Sequence, residues 1–146
     1  MTKFYLFILT ILFSFSALAQ VNVQATVDRN EMGMGDTLTL SISVTSKESV
    51  EAQEPRVPQL NGFELVNSWN SSSTSSRLVQ GNGGMQFETQ RRQDFNYMIT
   101  PQRSGTLSIP GFEVIVDGKK YETKPIRIQV GQQGSGAAQI DRKSVV

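Results

Sequence analysis

A two-residue period governs the first half of this chain's folded part. Val21, Val23, Ala25 and Val27 alternate with Asn22, Gln24, Thr26 and Asp28, and Leu38, Leu40, Ile42 and Val44 alternate with Thr37, Thr39, Ser41 and Ser43. Successive side chains of a strand leave opposite faces, so each run puts all its apolar groups on one side. An amphipathic helix needs apolar groups at three- and four-residue spacing and does not fit these runs. Between them, residues 29–36 hold Gly33 and Gly35, which are expected to supply positive φ for a turn.

The rest of the chain is punctuated in the same way. Pro55 and Pro58 lack a ladder donor, so residues 54–58 read as a connection or an edge. A strand is expected over 63–69, after the turn signal Asn61-Gly62, and is followed by the Ser- and Thr-rich tract 70–76. Residues 77–80 and 85–90 flank Gly81-Asn82-Gly83-Gly84 and read as a weakly buried hairpin. Phe95, Tyr97 and Ile99 resume the alternation; further strands are expected over 106–109, 112–116, 121–123 and 126–130, with Asp117-Gly118 as a hairpin turn. About nine short strands spaced by roughly 8 to 12 residues, with no 3.6-residue period, predict an all-β, immunoglobulin-like antiparallel β-sandwich over residues 20–130. Trp69 and Tyr97 are expected to fill the space between its sheets.

Two flanking segments differ in kind. Residues 1–19 carry one charge, Lys3, then an apolar stretch that ends in Ser16-Ala17-Leu18-Ala19, the pattern of a cleaved signal peptide. The stretch is shorter than the roughly 20 residues of a membrane span. Export to the periplasm is therefore expected. Residues 131–146 are rich in Gly, Gln, Ser and Ala and read as a flexible linker or tail leading on within a longer protein.

Losing Lys3 leaves 13 basic against 13 acidic residues. A balanced chain without clustered Lys and Arg has no electrostatic footprint for nucleic acid or an anionic membrane surface. The sequence contains neither cysteine nor histidine. The core must therefore hold without disulfides, and thiol or His-oriented nucleophiles and the usual zinc shells are excluded. Ser-x-x-Lys does not occur, and Ser46-Lys47 points consecutive side chains to opposite faces. No catalytic residue, metal or cofactor is expected, and the chain reads as a non-enzyme. Asp28, Asn30, Glu31 and Asp36 lack a dense ligand series for calcium and read as turn chemistry. Arg91-Arg92 reads as a solvated strand end, Asn70-Ser71-Ser72 is formally a glycosylation sequon, and Met32, Met34, Met85 and Met98 read as gap-fillers.

The tract Ser71, Ser72, Ser73, Thr74 and Ser75, with Arg77 beyond it, is the candidate binding segment. A strand with hydroxyls on both faces offers its main-chain donors and acceptors to a partner strand. A second reading, a cell-surface carbohydrate-binding or adhesion module, needs exposed aromatic platforms. Trp69 and Tyr121 are its candidates.

The segments "VQATVDRNEMGMGDTLTLSISV", "PQLNGFELVNSWNSSSTSS" and "YMITPQRSGTLSIPGFEVIVDGKKYETKPI" follow one another in an order and spacing that resemble the BatD family. These are exported oxygen-tolerance (aerotolerance) proteins of bacteria, especially of the Bacteroidetes type. The resemblance implies a periplasmic protein of tandem immunoglobulin-like modules, attached to the membrane only through a longer full-length chain. It also implies partners among other Bat membrane proteins, some with von Willebrand factor A domains and others with helical repeats. It supplies no catalytic residue.

Overall fold

The computed structural model describes residues 20–132. The expected signal peptide over 1–19 and the tail from 133 onward lie outside the described residues.

Nine strands and no helix form among the described residues: β1 (Val21–Val27), β2 (Glu31–Gly33), β3 (Leu38–Ser46), β4 (Phe63–Gly81), β5 (Gly84–Pro101), β6 (Gly105–Ile109), β7 (Glu113–Val116), β8 (Lys119–Glu122) and β9 (Ile126–Gly131). The main sheet runs β1-β3-β5-β4, with every neighbouring pair antiparallel. A three-stranded sheet runs β2-β9-β6, and β7-β8 form a separate hairpin that residues Ala52 and Arg56 bridge. The order of the main sheet is that of the four-stranded layer of an immunoglobulin-type sandwich. The fold is thus the all-β sandwich that the alternation implies.

The core lies between the layers. Leu38, Leu40, Ile42 and Val44 of β3 and Phe95, Tyr97 and Ile99 of β5 face Leu107, Ile109, Phe112, Val114, Val116, Ile128 and Val130. Tyr97 and Phe112 meet with ring centroids 5.3 Å apart. The Tyr97 hydroxyl donates to the Pro55 carbonyl at 3.4 Å. Burial, with the nearby Glu54 charge second, pushes its phenol up to about 12. The Asp117-Gly118 turn has φ of 49° and 78°, the two consecutive positive values that a tight hairpin between right-twisted strands requires.

Three expectations change. Gly35 does take positive φ, at 89°, but Gly33 does not: it is buried at the end of β2, paired in parallel with Gly131 of β9. The strands are not all short, because β4 and β5 contain 19 and 18 residues. The Ser/Thr tract is no interruption but the middle of β4. Finally, Tyr97 is buried as expected, whereas Trp69 is 43% exposed and lies on the outer face. A bulge between Leu65 and Asn67 explains this. Phe63 faces the core, and strict alternation would aim Trp69 the same way; the extra residue at the bulge reverses the parity of everything beyond it.

Candidate functional site

Strand β4 forms one edge of the main sheet, hydrogen-bonded to β5 on one side and, among the described residues, to no strand on the other. Ser71, Ser72, Ser73, Thr74, Ser75 and Arg77 all lie in it, and all are exposed. The register with β5 sorts them by face. Asn70 pairs with the buried Phe95, so Ser72, Thr74, Ser76 and Leu78 share the core-side face, while Ser71, Ser73, Ser75 and Arg77 share the outer face with Trp69. Along such a strand, successive N–H groups point alternately into the β5 ladder and out to the free edge.

The other end of the hairpin projects. Strand β3 ends at Ser46, opposite Arg91 of β5, whose β4 partner is Thr74. Residues 75–81 of β4 and their β5 partners therefore run on as a two-stranded ribbon, about 23 Å long at ~3.3 Å per residue. A bare ribbon is marginal in water, and a polar clasp at its base supports this one. Glu88 accepts from Lys47 at 2.5 Å and from Arg77 at 2.7 Å. Hydrogen bonds from Lys47 and then Arg77, with their charges second, hold the Glu88 carboxyl below its usual range. On the opposite face, the hydroxyls of Ser76 and Thr89 meet at 3.2 Å.

The ribbon also carries apolar groups that the sequence reading did not assign to the site. Leu78 lies directly opposite Phe87, and Met85 lies two residues from Phe87 on the same face. All three are exposed, Phe87 by 81%. This face continues the core face of the sheet past the point where a second layer covers it. Leu65 and Val66, also exposed, sit at the other end of the edge, at the bulge. A signal for the pair was present in the sequence, since Leu78 and Phe87 are equidistant from Asn82-Gly83. Its meaning depended on β4 being continuous.

The remaining candidates resolve into local structure. Asp36 accepts the Gly33 N–H at 2.8 Å, the turn chemistry expected of it, whereas Asp28 accepts the Thr39 N–H of β3 at 3.0 Å, a cross-strand bond one step beyond the β1–β3 ladder, and Glu31 lies in β2. No group of three or more acidic side chains that could hold a metal occurs among the described residues. Arg92 donates to both Asp94 carboxylate oxygens at 2.9 Å and to the Ser43 hydroxyl at 3.0 Å. Ser46 is the buried last residue of β3 and Lys47 is exposed just beyond the strand end, so the two side chains diverge although Lys47 is not itself in a strand. Tyr121 is half-buried, with the Lys119 ammonium 5.7 Å from its ring centre.

Comparison with known proteins gives one family. The model of the BatD DUF11-like domain matches residues 25–130, a span that starts within β1 and ends within β9. No curated protein matches the chain.

Proposed function

The chain belongs to the BatD family, and on that footing we propose that it is a non-enzymatic periplasmic interaction module of an oxygen-tolerance protein. Its partners are other Bat membrane proteins, foremost those with a von Willebrand factor A domain. The observation that carries the docking role is the β4 edge. Natural sheets blunt an exposed edge with Pro, Lys, inward charges or short strands, yet β4 runs 19 residues with no Pro or Lys and with Glu64 and Arg77 as its only charged residues. Its bulge protects one end alone. Such an edge accepts an added strand through main-chain hydrogen bonds, and the exposed Leu78, Met85 and Phe87 give the partner an apolar contact beside it.

Proline scanning tests this reading. Ser72 and Ser73 are neighbours, so one directs its N–H to β5 and the other to the free edge. Ser72→Pro and Ser73→Pro are expected to separate: one lowers the unfolding midpoint by removing a ladder bond, the other leaves it nearly unchanged and blocks docking. The edge-blocking variant should lose co-purification with a Bat protein carrying a von Willebrand factor A domain. Retention of that partner by both variants refutes the edge as the docking site.

One observation favours a carbohydrate-binding module instead, the exposure of Trp69. Its cross-strand neighbour is Asn96, and its neighbours on the same face of β4 are Asn67 and Ser71, so it is one ring in polar surroundings and not a platform. A shift of its fluorescence on adding glycans would favour that reading.

A further inference from the structure

We infer that two copies of this chain pair edge to edge through β4, antiparallel about a two-fold axis at Ser72. The inference goes beyond the docking role proposed above: it rests on the same free edge and makes a second copy its occupant in the isolated chain, in competition with a Bat partner for that edge.

The distribution of side chains along β4 is self-complementary. Leu65 and Val66 lie near one end and Leu78 near the other, with hydroxyl and amide side chains predominating between them. With Ser72 on the axis, Asn70 of one copy faces Thr74 of the other, Ser68 faces Ser76, and Asn67 faces Arg77. The bulge supplies two residues where a straight strand supplies one, so Leu65 and Val66 together face Leu78. This register keeps the core-side faces of both copies on the same side of the joined sheet. The Leu78–Phe87 pair of each ribbon then lies beside the exposed Leu65 and Val66 of the other copy.

Charge selects the same orientation. Glu64 stands at one end of β4 and Arg77 towards the other. Antiparallel pairing brings Glu64 of one copy to the end where Arg77 of the other lies, whereas parallel pairing sets like charge against like. The area suffices as well. A seam from Leu65 to Val79 is about 50 Å long and, with side chains on both faces, about 10 Å deep. It covers about 500 Å² per copy, or about 1,000 Å² in all, the lower threshold for a biological interface, to which only the β5 side of each ribbon, Met85 and Phe87, remains to be added. A two-fold seam closes on itself and ends the edge, so assembly stops at the dimer.

Sedimentation velocity of the purified chain across the micromolar range tests this, read together with the fluorescence of Trp69, the only tryptophan in the sequence. In the paired register Trp69 faces Ser75 across the seam, so its emission should shift to the blue with the same concentration dependence as the rise in mass. Leu78→Lys should weaken the dimer by about tenfold per copy, about a hundredfold for a seam that contains the change twice. Its circular dichroism and unfolding midpoint should stay those of the parent monomer, because Leu78 is 51% exposed. A chain that remains monomeric throughout overturns the inference, as does a dimer that neither Leu78→Lys nor the edge-blocking proline weakens. If the chain is monomeric but the edge-blocking proline still abolishes co-purification with the Bat protein, self-pairing falls and the docking role stands. If the proline abolishes the dimer and leaves co-purification intact, self-pairing stands and that partner does not use β4.

Discussion

Gly111→Ala is expected to cost about 3 kcal/mol or more and to lower the unfolding midpoint by about 12 °C. A Cβ built at Gly111 falls 2.3 Å from the Thr123 carbonyl oxygen, a backbone atom that no rotamer change can move. That contact sits where the chain closes below the β7–β8 hairpin. Phe112 N–H donates to the Thr123 hydroxyl at 2.8 Å, and Thr123 N–H returns a bond to the Phe112 carbonyl at 2.9 Å. Making room for a methyl group separates the two segments and strains both bonds, and Phe112 moves with them. Gly83→Ala is the control, since its Cβ meets nothing nearer than the flexible end of Gln86, at 3.6 Å. It should leave thermal unfolding almost unchanged. Equal effects of the two substitutions would contradict the close approach.

Phe112→Ala should be still more damaging, at about 3–5 kcal/mol. Phe112 is 1% exposed, and its ring packs on Tyr97 between the layers, so truncation leaves a cavity that a sandwich fixed by ladders on both sides cannot collapse to fill. Urea denaturation should show a lower midpoint with the same slope. Phe87→Ala removes the same ring from the projecting ribbon and should change stability by no more than about 0.5 kcal/mol. The contrast between two phenylalanines of one chain separates the side chains that hold the fold from those that are free to bind. A large loss at Phe87 would mean that its ring is covered within the monomer.

How far the sequence revealed this division depends on whether the deciding interaction is local. The alternation of β1 and β3 is a property of neighbouring residues, and Leu38, Leu40, Ile42 and Val44 are all buried. The Asp117-Gly118 turn was equally legible, because both residue types tolerate the required φ. Strand β2 was not: its three residues are a strand only because β9, nearly a hundred positions later, lies beside them, and no local period marks that pairing. The continuity of β4 was missed for a related reason. Its serines carry no two-faced pattern, and it is the long partner β5 that keeps them extended. Trp69 shows the sharpest limit, since one bulged residue at Val66 reverses the face of everything after it and leaves no trace in composition. The candidate residues 71–75 and Arg77 were found from their hydroxyl run and lie on the free edge, but the apolar half of the site, Leu78, Met85 and Phe87, depended on a ribbon outrunning its third strand.

The measurement that reaches the central claim most directly is residue-resolved amide hydrogen exchange along β4. In the dilute chain, alternate amides between Asn67 and Ser76 should exchange rapidly because they face the free edge, while those between them, held by β5, are protected. Concentrating the chain, or adding a Bat protein with a von Willebrand factor A domain, should protect the fast set and leave the slow set as it was. Uniform protection of both sets in the dilute chain, or a fast set that neither condition slows, would contradict a free edge that docks a partner strand.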